Sequence, residues 1–430
     1  MRYVLFLALM VLAVLPVSGL QAEDNKSNVD TKLQKEIDTA IQKGAEYLLK
    51  HWKNQPGKNE PNFGEGEKLF CLYALLHADL PLDRLKEQLM LLQKPYQPNF
   101  AVVYEVPILI FVLNLLDPVK YQNEIAECAQ FLIDTQTPDG QWGYPVTNKR
   151  FSPVQTGKVT VTPSKNGKSV IDQLPRIKLI RNNNVKNVEV QSRGGGANNS
   201  CTQFALLGLS AATQANIEIP KDVWEHSLKY WQKAQYQDGG WGYQHLPTPS
   251  SKLQPRDTSY GSMTCAGISS LVICLRQLGK DIKDIKKDTH IQGGLNWILK
   301  NFSVTENPLV SSNNFLKGCF YYYLYSLERA MTLSETEMLD EINWYKKGAQ
   351  YLVSYQDADG GWSDTRVAGK DELEPPALRT VYAILFLKRA SRVYITPLGR
   401  GKAVVTPSST ETPQTTPTDN KPKEENNPKK

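Results

Sequence analysis

The chain has 430 residues and a composition, 40% hydrophobic and 22% charged, that supplies a large globular core and excludes a disordered or fibrous protein. A net charge of +6 is small for this length, so no nucleic-acid partner is expected. The six cysteines (Cys71, Cys128, Cys201, Cys265, Cys274 and Cys319) are irregularly spaced inside predicted helices with no Cys-x-x-Cys, which excludes a small disulfide scaffold and suits buried free thiols.

The N-terminal segment stands apart from the rest. Arg2 precedes an apolar run from Tyr3 to Pro16, and small residues follow at Ser18, Gly19 and Ala22. This is the layout of a signal peptide over 1–22, with an uncleaved membrane anchor as the alternative. The mature chain is expected to be exported, periplasmic or extracellular, and soluble or peripherally attached to a membrane. From residue 30 onward two kinds of helical segment alternate. Amphipathic helices are predicted over 34–52, 82–94, 122–136, 222–236, 288–301 and 343–356. Each is followed by a segment apolar nearly all round, over 67–78, 102–116, 201–214, 259–277, 316–331 and 378–390, as buried helices should be. In the last amphipathic segment Trp344, Gly348, Tyr351, Leu352 and Tyr355 share one face. Six amphipathic-outer, apolar-inner pairs close naturally into a barrel.

Three of the outer helices end in one repeated pattern: Gln, two residues, Asp, Gly, any residue, Trp. The copies run Gln136–Asp139–Trp142, Gln235–Asp238–Trp241 and Gln356–Asp359–Trp362. Asp-Gly is a turn signal, and glycine accepts the positive φ of a helix stop. The Trp can then bury its ring while the Gln amide bonds nearby backbone, so the motifs read as staples between helices. The first pair lacks the motif and carries Asn62-Phe63-Gly64 instead.

Two segments break the helical pattern. Residues 144–199 alternate like strands at 158–162, 176–181 and 188–191, and Gly194-Gly195-Gly196 leads back to the helices. Ten basic residues (Lys149, Arg150, Lys158, Lys165, Lys168, Arg176, Lys178, Arg181, Lys186 and Arg193) face only Asp172 and Glu189 there, so the segment carries more positive charge than the whole chain. It is expected to be a separable β-rich insertion, either a solvated decoration or a docking surface for an anionic envelope component. The tail 393–430, rich in Thr, Pro, Lys, Asn and Glu, is expected to be disordered.

The motif resembles the QW repeat of the squalene and hopene cyclase superfamily, which also contains the protein prenyltransferase β subunits. That resemblance implies an all-α toroid of six inner and six outer helices over 30–143 and 200–392. Hopene cyclases carry an Asp-x-Asp-Asp acid at the start of an inner helix. Here Gln254-Pro255-Arg256-Asp257 supplies one carboxylate, beside an arginine. Prenyltransferases hold zinc with Asp, Cys and His. Cys319 matches the cysteine, but Lys317 and Arg379 stand at the other two positions, and neither binds zinc. No metal and no cofactor are therefore expected.

The remaining candidates are a low-specificity catalytic Asp257, whose alternative role is a helix N-cap, and cavity-lining residues at the starts of two inner helices: Tyr260, Thr264, Cys265, Cys319, Tyr321 and Tyr322. Aromatic walls suit an apolar, lipid- or isoprenoid-like guest and equally suit core packing. Two functions follow: an exported cyclase-like monomer that binds such a guest, or a non-enzymatic toroid used as a structural or interaction module at the cell envelope. A central pocket favours the first and a filled axis the second. A polysaccharide lyase would want carboxylate, Tyr, His and Arg along an open cleft, and no such grouping is evident.

Overall fold

The computed structural model describes residues 31–52, 65–92, 103–143, 174–181, 196–244, 258–309, 319–363 and 374–394. The N-terminal run, most of the basic segment and the tail beyond Tyr394 lie outside them. So do the expected strands 158–162 and 188–191. No helix among the described residues is long and apolar enough to cross a membrane.

The fold is all-α. Six inner helices, α2 (Glu65–His77), α3 (Glu105–Leu116), α5 (Asn199–Gln214), α7 (Gly261–Gln277), α9 (Phe320–Leu333) and α11 (Pro376–Leu387), each pack on the next. α11 returns to pack on α2, which closes the ring. Their sequences explain the placement. α7 is buried at every position from Gly261 to Leu275, and α3 from Val106 to Leu113. A helix apolar all round has no face to give to water, so it must sit between others.

The outer layer is α1 (Thr31–Trp52), α4 (Gln122–Asp134), α6 (Lys221–Ala234), α8 (Thr289–Lys300) and α10 (Trp344–Ser354). Each buries one stripe, such as Val223, Trp224, Ser227, Tyr230, Trp231 and Ala234 of α6. The expected outer helix over 82–94 is instead three short turns over Leu82–Leu92, with Leu82 and Met90 exposed. The face expected on α10 holds for Trp344, Gly348 and Leu352. Tyr355 falls just past the helix end and is exposed.

The three motifs are superposable in their bonding. Each Trp ring is fully buried and its Nε1–H donates to the carbonyl ten residues earlier, in the last turns of the outer helix: Trp142 to Leu132 at 2.8 Å, Trp241 to Trp231 at 2.9 Å, Trp362 to Leu352 at 2.9 Å. Each Trp backbone N–H donates to a threonine hydroxyl of the following inner helix, Thr202, Thr264 or Thr380. Each Gln amide donates to a carbonyl of the next outer helix: Gln136 to Val223, Gln235 to His290 and Gln356 to Ala40. The last bond joins α10 to α1 and closes the outer layer. The motif glycine sits at φ +89° in Gly239, and a Cβ there would lie 2.5 Å from the Gly293 carbonyl of α8. Glycine is required twice over, for the turn and for the approach.

A second rule governs the starts of the inner helices, whose first N–H groups need acceptors. At three of them an acceptor comes from the segment that leads into the next inner helix. Tyr243 O accepts from Asn199 N–H at 2.9 Å at the start of α5. Asn307 accepts from Ser262 N–H at 3.0 Å for α7, and Glu374 accepts from Tyr321 and Tyr322 N–H, the latter at 2.8 Å, for α9.

The basic segment leaves and returns at one point. Gly143 bridges Ala197, and Asn198 N–H donates to Trp142 O at 3.0 Å. Its middle is nevertheless built into the barrel. Ile177–Lys178 (β1) pairs in parallel with Ile217–Glu218 (β2), and Leu174, Ile177 and Leu179 are buried. The stretch runs along α4: Pro175 O accepts from Gln122 at 2.9 Å and Ile180 O from Gln130 at 2.8 Å. Arg181 donates to Gln136 and Asp222. Arg176 and Lys178 both pair with Glu218. Three of the ten basic residues thus share two carboxylates of the toroid, so the described stretch keeps a net charge of about +1 of its three.

Candidate functional site

The ring's axis is lined by aromatic residues from four inner helices. Phe70 of α2 lies 5.4 Å from Tyr382 of α11, 5.9 Å from Tyr325 of α9 and 6.4 Å from Phe204 of α5. Tyr322 lies 5.8 Å from Tyr382, and Tyr104, just ahead of α3, lies 4.9 Å from Phe204. Edge-to-face arrangements dominate, the geometry in which the ring quadrupoles attract.

Tyr322 and Tyr382 are deep in the molecule, and burial raises the pKa of both phenols. Both are nonetheless only half-buried. Their ring neighbours, Phe70, Phe204, Tyr325 and each other, come from four inner helices. Tyr104 is half-buried in the same place.

One continuous hydrogen-bonded chain descends along the axis. Tyr104 Oη donates to Ser200 Oγ at 2.7 Å, and Ser200 Oγ meets Tyr322 Oη at 2.9 Å. Tyr322 Oη donates to Gln203 Oε1 at 3.1 Å, which also accepts from Arg329 Nη2 at 3.1 Å. The Gln203 amide then donates to Ser269 Oγ at 3.0 Å. Arg329 is fully buried, seven residues below Tyr322 on α9, about 10 Å by helix rise. Its guanidinium lies on Tyr325 at 4.0 Å and on Phe204 at 5.0 Å. Burial works against its charge, and Tyr325 and Tyr322 outweigh that, so it stays protonated. Burial in turn lifts Tyr325 to about 12, against the pull of Arg329.

The neighbouring Glu328 does not neutralise Arg329. Its carboxylate accepts from Thr332 Oγ1 at 3.1 Å, Ser391 N–H at 3.2 Å and Ser391 Oγ at 2.7 Å, tying α9 to the turn Ala390–Tyr394.

Of the expected cavity residues, Tyr322 stands at the axis. Cys265 is buried on α7, close enough to feel the Arg329 charge, and burial pushes its thiol up. Thr264 instead accepts from Trp241 N–H, and Tyr260 N–H donates to Trp241 O, so both serve the motif. Tyr321 reaches Ser363 O just past the third motif, at 3.4 Å. Cys319 precedes α9, and burial, with Glu374 nearby, pushes its thiol up. Arg379 is buried on α11. Asp257 and Lys317 lie outside the described residues. No group of three His, Cys, Asp or Glu side chains that could hold a metal ion occurs among the described residues.

Sequence reasoning missed Phe70, Tyr104, Ser200, Gln203, Phe204, Tyr325, Arg329 and Tyr382. One signal was available: Glu328-Arg329 is a charged pair inside a segment otherwise read as buried all round.

No family model matches the sequence, and no curated protein matches it. Among solved structures, the chain is similar to the type II terpene cyclase MstE from Scytonema. A variant of that enzyme in complex with geranylgeranyl dihydroxybenzoate aligns at 11% identity and TM-score 0.44, over 84% of this chain and 99% of that one. The apo enzyme aligns at 12% identity and TM-score 0.43, over the same 84% and 99%.

Proposed function

We propose that this protein is an exported toroid that takes an elongated apolar, isoprenoid-like molecule into the space along its axis. The observation that carries this reading is the pair Tyr322 and Tyr382, whose rings lie 5.8 Å apart among inner-helix aromatics and stay half-buried rather than sealed. An apolar chain placed there trades water for the accessible surface of these rings and of Tyr104, and each methylene removed from water contributes about 0.8 kcal/mol. Export rests on the N-terminal run from Tyr3 to Pro16. The reading is one of binding. The sequence has no Asp-x-Asp-Asp acid for alkene protonation.

The rings of Phe70, Phe204 and Tyr325 pack closely on one another, which supports a second reading, a purely structural toroid at the cell envelope. Two measurements on the purified full chain separate the readings: organic extraction with mass spectrometry, and calorimetric titration with farnesol and farnesoic acid. Co-purified polyisoprenoid or saturable binding of either probe supports the ligand reading. A clean extract together with no binding of either probe sinks it and leaves the structural toroid.

A further inference from the structure

Tyr382 of α11 carries a hydroxyl that the fold does not use. Its ring lies 5.4 Å from Phe70 of α2, and 5.7 and 5.8 Å from Tyr325 and Tyr322 of α9. Its Oη makes no hydrogen bond among the described residues, and it is not one of the enclosed polar atoms that lack a partner. The oxygen therefore keeps accessible surface, in keeping with a half-buried side chain. A tyrosine hydroxyl set this deep is as a rule matched by protein. Tyr321 and Tyr323 of α9 follow that rule, donating to Ser363 O and Ser303 O.

The neighbouring protons are all committed. Arg329 can only donate, so the Gln203 amide atom that meets it is the oxygen, and Tyr322 Oη–H must donate to that same oxygen. With its one proton spent, Tyr322 accepts from Ser200 Oγ–H, and Ser200 accepts from Tyr104 Oη–H. Gln203 Nε2 passes the chain on to Ser269 Oγ, which donates to Ala266 O. The buried cation thus sets one direction for the whole chain. Tyr322, Ser200 and Tyr104 have no proton left to offer a guest, and Tyr382 has. Burial, with Glu374 adding to it, raises the pKa of Tyr382, so the phenol stays neutral and keeps that proton.

We infer that Tyr382 is the polar anchor of the axial site: its hydroxyl donates to the neutral oxygen of a ligand's head group, while the ligand's apolar body lies against the surrounding rings. The inference rests on the ligand-binding reading above and narrows it from any apolar chain to an isoprenoid-like alcohol. A carboxylate head fits less well. The unmatched Nε and Nη1 of Arg329 are enclosed, so the acid would lose its hydration without gaining an ion pair with that cation. Binding makes one hydrogen bond and breaks no covalent bond.

The test compares farnesol, the hydrocarbon farnesene and farnesoic acid, each presented from the same cyclodextrin carrier at pH 8, on the full chain and on Tyr382→Phe, with the thermal midpoint of each protein recorded. Tyr382→Phe keeps the ring and removes no hydrogen bond within the described fold, so its midpoint should be unchanged. It is expected to bind farnesol about fivefold more weakly than the unmodified protein, the scale of one neutral hydrogen bond, and to bind farnesene equally well. Unchanged farnesol binding, or an equal loss for farnesol and farnesene, overturns the inference while leaving the ligand reading intact. Tighter binding of the acid than of farnesol to the unmodified protein does the same. A midpoint lowered by several degrees would mean that the hydroxyl serves the fold, which also overturns it. Failure of all three probes to bind removes the ligand reading itself, and the inference with it.

Discussion

The rim and the axis of this toroid treat buried polar groups in opposite ways. At the rim every motif matches its donors: Trp Nε–H to an outer-helix carbonyl, Trp N–H to a threonine, Gln amide to the next outer helix. At the axis a fully buried guanidinium leaves Nε and Nη1 unmatched. Matched networks hold a fold together, whereas an unmatched buried ion weakens it. The contrast locates the matched framework at the rim. Substitutions should therefore separate the two: rim changes cost stability, while Arg329→Met, which removes an incompletely matched buried charge, costs little or none.

The largest effect is expected at Trp241. Its ring fills a site against Gly267, where even a Cβ would come within 2.4 Å of it. Trp241→Ala empties that site and strands the Trp231 carbonyl, and should destabilise the fold by about 3–5 kcal/mol in chemical denaturation. A variant with unchanged stability and impaired ligand binding would place the motif in function instead and erase the distinction.

A smaller loss is expected at Gln356, the residue that closes the outer layer by donating to Ala40 O and Gly360 O, both at 2.8 Å. Gln356→Leu removes both bonds and should cost about 1–3 kcal/mol. Hydrogen exchange would sharpen the assignment: α1 should lose protection before the inner helices do. Uniform loss around the ring would mean that closure is not local to this bond.

The far end of the ring supplies a milder case. His77, the last residue of α2, is buried against Tyr73, and its Nε2 has no partner. Burial, with Lys388 adding to it, pushes its pKa down from 6.5 to about 3. The unfolded chain takes up a proton near 6.5 and the folded one does not, so stability is intact above that pH and declines as pH falls toward 3. The loss from this one group is about 1 kcal/mol at pH 5.5. His77→Phe should flatten the acid limb of a stability–pH curve between those values and leave the curve unchanged above pH 7. An identical acid limb in both proteins would mean that His77 is charged in the fold.

The two layers of this toroid were legible in unequal measure. Apolar periodicity gave all six inner helices to within a few residues, because a helix with no polar face has only one place to go. It misjudged 82–92, where Leu82, Leu85, Leu89 and Leu92 recur at helical spacing and yet the chain folds as three short turns. The motifs were legible as turns and staples, since Asp-Gly and a large aromatic dictate local chemistry. Their partners were not, because Gln356 bonds a carbonyl more than three hundred residues away in sequence. The basic stretch 174–181 looked like a detachable strand from its alternation and charge. Its three basic residues turned out to answer Glu218 and Asp222, which lie far along the chain.

The sequence by itself determined the number and kind of inner helices, the outer stripes and the three stops, all of which follow from periodicity and turn chemistry within a window of a dozen residues. Only the tertiary structure decided which side chains face the axis. Thr264 and Tyr322 are both near the start of an apolar inner helix, yet one bonds the motif Trp241 and the other faces the interior, because helix rotation is set by packing against four neighbours. The same holds for Arg329. Its charge was plain in the sequence, but that it stands unpaired among Phe204, Tyr322 and Tyr325 depends on α5 and α9 meeting at one depth in a closed ring.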